Sequence, residues 1–127
     1  MNQRNILLSG IVLGGLGVII GAFGAHALNP VLAANGRLET FEVAVRYQFY
    51  HALAMLFIGV AIEKFPVPAF RYAALCMLSG VIIFSGSLYV LCLTGITVLG
   101  AVTPFGGALM IAGWILLFAG VIKNPAR

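Results

Sequence analysis

Two long stretches of the chain carry no charged side chain, and they constrain the fold more than any other feature. One extends from Asn5 to Gly36 and the other from Tyr72 to Ile122. A membrane-spanning helix needs about 20 predominantly apolar residues, and both stretches exceed that length. Only 8% of the residues are charged, against roughly 25% in a typical soluble domain. The sequence therefore predicts a polytopic membrane protein and excludes a soluble globular enzyme and a disordered chain.

Turn signals divide the chain into four predicted spans that form a single transmembrane domain over residues 1–127. The first span covers residues 6–28 and ends at Asn29-Pro30, because the residue before a proline avoids the α region. The second needs residues 43–63 to reach spanning length. The second charge-free stretch would be about 76 Å long as one helix, so it must fold back at residues 94–97, which gives spans 71–93 and 98–122. The predicted fold class is an all-α, integral membrane four-helix bundle.

Pro104 leaves two alternatives for the start of the fourth helix. In the first, Thr103 caps the helix and Pro104 is its first residue. In the second, the helix begins near Thr97 and Pro104 kinks it. Both alternatives predict irregular backbone near Gly106 and Gly107, which must be buried in protein or face water.

The basic residues predict how the bundle is oriented. Four spans place both termini on one side, and that side has more basic residues than the other, which has Arg37 and Arg46. Its basic residues are Arg4, Lys64, Arg71, Lys123 and Arg127. Because cytoplasmic loops carry an excess of Lys and Arg, we predict cytoplasmic termini and a multi-pass protein of the bacterial inner membrane. No basic stripe with interleaved aromatic residues is present, so we expect no nucleic-acid partner.

Small residues at regular spacing indicate that the first span packs closely against other helices. Gly10 and Gly14 lie on one face, and Gly17, Gly21 and Ala25 lie on a neighbouring face, at four-residue spacing. Such faces let transmembrane helices approach closely, so we expect this helix to be central to the bundle. A structural or assembly role is one hypothesis, in which these glycines dock on another membrane protein. Four short helices enclose little volume, and a homo-oligomer is a further expected assembly.

Polar side chains concentrate in the outer half of the predicted bundle. Polar groups within a membrane are costly, which makes each of them a candidate for function. Our leading hypothesis is a non-enzymatic module with an outward-facing polar pocket between the first three spans. The pocket would bind a small-molecule or lipid ligand, with Arg46 favouring an anionic group, and the binding would serve transport in one version of the hypothesis. The predicted lining residues are His26, Arg46, Gln48, His51, Ser85 and Tyr89.

Several of these side chains also have a purely structural interpretation. His26 lies where histidines interact with the last carbonyls of a helix. Gln48 and His51 fit interhelical hydrogen bonds, which contribute roughly 0.6 kcal/mol each. Arg46 lies four residues after Glu42, the spacing of a helical ion pair.

More specific chemistry finds little support in the sequence. Haem ligation by His26 and His51 is disfavoured, because their predicted depths differ by about 9 Å. Two histidines also fall short of the three or four ligands of zinc, so we expect neither a metal nor a cofactor. No motif pairs Ser85 with His51 as nucleophile and base, and a membrane enzyme using His51 is the third hypothesis. The N–H of Trp114 needs a hydrogen-bond partner, so we expect this residue to pack inside the bundle.

Four sequence phrases, in order along the chain, resemble a known family. They are GAFGAH at residues 21–26, AVRYQFYHAL at 44–53, FSGSLY at 84–89, and TPFGG at 103–107 followed by GW at 113–114. The chain resembles the small, uncharacterised inner-membrane family typified by YgdD, a domain of unknown function. The resemblance covers nearly the whole chain and implies a four-span integral membrane protein. It implies no activity, but the phrases coincide with the outer polar residues, which favours the pocket over helix packing alone.

Overall fold

The computed structural model describes residues 1–124, which form four long helices and a short one. Arg127, one of the basic residues that predict the orientation of the bundle, lies outside this range. The helices are α1 (Gln3–Ala25), α2 (Asn29–Ala34), α3 (Leu38–Ala61), α4 (Pro68–Thr94) and α5 (Leu99–Lys123). All except α2 are long and apolar enough to cross a membrane. The predicted all-helical, four-span fold class is confirmed, and the cytoplasmic location of the termini stays a prediction from the charges.

Glycines end two of the helices where the chain turns. Gly36 and Gly95 have φ angles of 64° and 73°, in the left-handed region that glycine adopts without steric cost. The N–H of Gly95 donates to the carbonyl of Leu91 and closes α4. The second charge-free stretch therefore folds back at residues 95–98, which overlaps the predicted turn at residues 94–97.

Pro104 lies inside α5, which decides between the two alternatives for this helix. The helix begins at Leu99, and the Thr103 hydroxyl donates to the Leu99 carbonyl at 3.1 Å instead of capping a helix start. The backbone at Gly106 and Gly107 is regular helix, so the expectation of irregular backbone there was wrong. Pro104 is the sixth residue of α5, so its missing N–H removes the i→i−4 hydrogen bond to the carbonyl of Gly100.

The helices pack in chain order, with α3 and α4 in the middle. The close pairs are α1 on α3, α3 on α4, and α4 on α5. α1 is the least buried of the four spans. The prediction that the glycine-rich first span is central was therefore wrong, because five of its six glycines face α3 and most of its remaining circumference is left to lipid.

The glycines of α1 form one seam against α3. Its members, which we call the α1 seam, are Gly10, Gly14, Gly17, Gly21 and Gly24. Their alternating spacing of four and three residues is the period of a left-handed helix pair. A Cβ on Gly10 would lie 3.0 Å from the carbonyl oxygen of Ala52, so the two backbones approach closely. Ala25 is exposed, because a strict four-residue repeat drifts around the helix and Gly24 is the next position in the seam.

A second glycine seam, which our sequence analysis missed, joins α5 to α4. Gly106, Gly113 and Gly120 recur every seven residues on α5, and all three are buried. A Cβ on Gly106 would overlap the backbone of Phe84 and lie 2.7 Å from the carbonyl oxygen of Gly80. Only a residue without a side chain fits at that position.

Two adjacent glycines of α5 test this seam. We expect Gly106→Ala to lower the free energy of unfolding by about 1–3 kcal/mol, because the added methyl group meets backbone atoms that cannot rotate away. Gly107→Ala is the matched control, since it gains the same helix propensity and its Cβ would lie 3.8 Å from the Phe84 ring. Far-UV circular dichroism would follow unfolding in mixed micelles of dodecyl maltoside and SDS. Equal unfolding midpoints for the two variants would contradict the close contact of α5 with α4 at Gly106.

Candidate functional site

A layer of polar side chains separates two apolar clusters of the bundle. One cluster, around Met55, Phe70 and Met77, lies toward the loop between α3 and α4. The other, around Phe41 and Leu91, lies near α2. We call these two ends of the bundle the loop end and the α2 end. The polar layer between them contains the buried candidates for function.

Gln48 is the centre of this layer and connects three helices. Its side chain is buried, and its Nε2 donates to the carbonyl of Leu13 on α1 at 2.8 Å. Its Oε1 accepts a hydrogen bond from the hydroxyl of Tyr89 on α4 at 2.7 Å. Gly17 lies beside the amide, and a Cβ there would be in ordinary van der Waals contact with Nε2, at 3.5 Å. Both ends of the amide are therefore engaged within the protein.

The buried hydroxyl groups are engaged in the same way. Ser85 donates to the carbonyl of Ala44 at 2.7 Å, which joins α4 to α3. The hydroxyls of Ser87 and Thr103 lie 2.8 Å apart and join α4 to α5. Within residues 1–124, every buried side-chain nitrogen or oxygen has a hydrogen-bond partner. A membrane interior offers no water to replace these partners, so the layer holds the helices in one register.

His51 joins α3 to α5 through a partner that our sequence analysis did not assign. Its ring is buried, with Nδ1 2.8 Å from the carbonyl oxygen of Tyr47 and Nε2 3.2 Å from Nε1 of Trp114. A carbonyl only accepts and an indole N–H only donates, so His51 is neutral with its proton on Nδ1. Along their helices, His51 and Trp114 each lie about 20 Å from the α2 end. The pair therefore lies near the middle of the membrane.

Trp114 confirms one expectation and corrects another. Its N–H has the hydrogen-bond partner that we predicted it to need. Half of its side chain is nevertheless exposed, so it does not pack inside the bundle. The reason is that α5 packs closely on α4 alone, which leaves a gap between α5 and α3.

This gap, which we call the α3–α5 groove, has a volume of about 330 Å³. The rings of Tyr47 and Phe84 lie 5.0 Å apart on one side of it. Its lining is aromatic and apolar apart from the His51 ring. The lining residues are Tyr47, His51, Phe84, Gly107, Met110, Ile111 and Trp114.

Two of the predicted site residues lie at the surface, away from this layer. Arg46 pairs with Glu42 at 3.0 Å, with both side chains more than half exposed, and an exposed pair contributes at most about 1 kcal/mol. The backbone N–H of His26 closes α1 by donating to the Ala22 carbonyl, and its side chain is exposed.

The six predicted lining residues therefore do not form a single pocket. Three of them lie between α1, α3 and α4, whereas His51 faces α5 and the other two lie at the surface. In the part of the chain that the structure describes, no three His, Cys, Asp or Glu side chains come together as metal ligands would. The pairing of His51 with Trp114 was not predicted from the sequence. The signal for it was that the two residues lie equally far along their helices from the same end of the bundle.

Removal of the Tyr89 hydroxyl tests the three-helix bridge. We expect Tyr89→Phe to lower the free energy of unfolding by about 1–2 kcal/mol, because Oε1 of Gln48 stays buried without a donor. Tyr50→Phe is the matched control, since the Tyr50 side chain is exposed. Unfolding in mixed micelles, followed by circular dichroism, would compare the two. A Tyr89→Phe midpoint as high as that of the control would rule out a stabilising bridge.

Comparison with known proteins identifies the family of this chain. A family model described as "Protein of unknown function (DUF423)" matches residues 20–107. A UPF0382 membrane protein of Staphylococcus aureus is 44% identical over 89% of this chain and 94% of its own length. The UPF0382 membrane protein YwdK of Bacillus subtilis is 35% identical, over 95% of this chain and 98% of its own. The UPF0382 inner membrane protein YgdD of Escherichia coli is 34% identical, over 97% and 93%. No solved structure matches the chain.

These relatives confirm the resemblance that the sequence phrases indicated. Their coverage of nearly the whole chain extends the likeness over all four spans. Their names and the four apolar helices agree on a multi-pass protein of the inner membrane. The chain belongs to the DUF423 family of UPF0382 membrane proteins.

Proposed function

We propose that the protein is a non-enzymatic membrane module that binds a lipidic ligand in the α3–α5 groove. The observation that carries the proposal is the His51–Trp114 hydrogen bond beside an open space of about 330 Å³ in the middle of the membrane. The apolar chain of a membrane amphiphile suits this space, because the groove lies within the spans and opens toward lipid. The site differs in place from the pocket that the sequence predicted, but it retains His51.

The geometry of the groove favours binding over a purely structural role for this pair. Helix association in a membrane depends on close packing, yet α3 and α5 are not one of the closely packed pairs. A single interhelical hydrogen bond contributes only about 0.6 kcal/mol to helix association on average. The His51–Trp114 hydrogen bond therefore stabilises the association of α3 with α5 only weakly. The flat rings of Tyr47, Phe84 and Trp114 offer contact area to an apolar chain.

Catalysis by His51 has less support. The Tyr47 carbonyl and the Trp114 N–H engage both ring nitrogens. Ser85, which no sequence motif pairs with His51 as a nucleophile, donates a hydrogen bond to the Ala44 carbonyl. An activated nucleophile needs a base within hydrogen-bond reach, and this serine is bonded elsewhere.

Assembly through the glycines of α1 also has less support. All five glycines of the α1 seam face α3 of the same chain, so they are not open to a partner protein. Gly15 has open space beside it. Its neighbours on the exposed side of α1 are bulky, and include Ile11, Val18 and Ile19. A partner on this side would meet large side chains, which prevent the close approach that glycine permits.

Filling the groove tests the proposed binding. Trp114 is the single tryptophan of the chain and lines the groove, so its fluorescence reports an occupant. We expect dibromostearic acid, added to the protein in dodecyl maltoside, to quench Trp114 in a saturable manner. Gly107→Leu should leave only a linear, partition-type quenching, because the new side chain occupies the groove.

Gly86→Leu is the matched control for this variant. It adds the same side chain to a helical glycine that has no neighbour within 4 Å, and we expect it to retain saturable quenching. Circular dichroism would verify that both variants fold. Linear quenching in all three proteins would mean unspecific partition of the fatty acid and would refute the proposal.

A further inference from the structure

A second cavity lies at the loop end of the bundle, beside the start of α4. Its volume is about 400 Å³. Two prolines stiffen its rim, because the proline ring fixes φ. The lining combines one guanidinium group with apolar and aromatic side chains. The lining residues are Met1, Pro66, Val67, Pro68, Arg71, Tyr72 and Leu75.

Among residues 1–124, no carboxylate pairs with the positive charge at this cavity. Arg71 lies in the first turn of α4, which contains no acidic residue, and it forms no ion pair within residues 1–124. Glu63 accepts a hydrogen bond from Gln3 at 2.9 Å and does not line the cavity. Arg4, at the start of α1, and Lys64, in the loop between α3 and α4, add further positive charge at the same end. An anionic group is therefore the complement of this cavity.

An apolar groove between α1 and α4 begins about one helical turn beyond the cavity, on the side toward the middle of the membrane. Leu78 and Ile82 line it on α4, and they follow Arg71 and Leu75 at successive turns of the same helix face. The distance from Arg71 to Ile82 is about 16 Å by helical rise, close to half of the roughly 30 Å hydrocarbon core. The groove stays open, with a volume of about 330 Å³, because α1 packs on α3 and not closely on α4. Its α1 lining is Leu8, Ser9, Val12 and Leu13.

We infer that the cavity and the groove are one site for an anionic phospholipid, whose phosphate contacts Arg71 and one of whose acyl chains lies between α1 and α4. A guanidinium group binds phosphate oxygens in bidentate geometry. Basic pockets between transmembrane helices are suited to anionic headgroups. Tyr72 lies at the level of the membrane interface, where tyrosine is enriched. This site is separate from the α3–α5 groove, and the inference does not rest on the function proposed for that groove.

Lipid binding by the full chain in detergent tests the headgroup half of the site. Native mass spectrometry would compare phosphatidylglycerol with phosphatidylcholine of the same acyl chains, and we expect phosphatidylglycerol to bind more tightly. Arg71→Gln should weaken phosphatidylglycerol binding about tenfold, the change for a lost charge-assisted hydrogen bond of about 1.5 kcal/mol. Lys123→Gln is the matched control, because Lys123 lies at the same end but does not line the cavity, and its affinity should stay close to that of the unmodified protein.

Three results of this experiment would overturn the inference. Equal losses in Arg71→Gln and Lys123→Gln would mean diffuse attraction to the basic end of the bundle. Equal affinities for the two lipids would mean that the headgroup charge is not recognised. Complete displacement of phosphatidylglycerol by inorganic phosphate would mean a site for free phosphate instead of a lipid.

The chain half of the site has a separate test. Ser9→Leu fills the groove between α1 and α4, and we expect it to weaken phosphatidylglycerol binding while the helical content stays unchanged. Gly15→Leu is the control on the same helix, at a glycine with open space beside it. Unchanged affinity in Ser9→Leu would overturn the two-part site, even if Arg71→Gln weakened binding.

Discussion

Apolar side chains gain little by exchanging lipid for protein, so helix association in a bilayer depends on how closely the backbones approach. Two glycine seams provide this approach, one between α1 and α3 and the other between α4 and α5. Both contain the same seven-residue recurrence. The recurring glycines are Gly10, Gly17 and Gly24 on α1, and Gly106, Gly113 and Gly120 on α5. The bundle therefore consists of two tight helix pairs, which the contact of α3 with α4 holds together.

The two grooves follow from this arrangement. Each outer helix places its small residues against one neighbour, which leaves a gap beside the other central helix. The gap between α3 and α5 is crossed near the middle of the membrane by His51 and Trp114. The gap between α1 and α4 begins about one helical turn beyond the basic cavity at Arg71. The polar group of the α3–α5 groove therefore lies deep in the membrane, whereas that of the groove between α1 and α4 lies at the membrane surface. The first groove suits the apolar chain of an amphiphile, and the second suits its headgroup together with a chain.

The polar layer makes the edges of the bundle more suitable for ligand binding than its centre. Gln48 engages α1 and α4 at once, and Ser85 engages α3. With these partners supplied by the protein, the centre has no unsatisfied side chain to offer a ligand among the described residues. His51 belongs to the same layer, but it is the member that lines an open space.

Membrane location, the number of spans and the turn at Gly95 follow from the residue pattern alone, because charge-free length and turn chemistry are local properties. The need of Trp114 for a partner is also local, since it depends on one N–H group in an apolar medium. Which neighbour each helix face meets is not a local property, because every span is apolar around most of its circumference and lipid accepts any such face. Gln48 and His51 are only three residues apart, about 60° around the helix, yet they face different helices. The residues predicted to line one pocket therefore lie in two separate places. The tertiary structure decided this, since only the packing at the glycine seams sets the rotation of each helix about its axis.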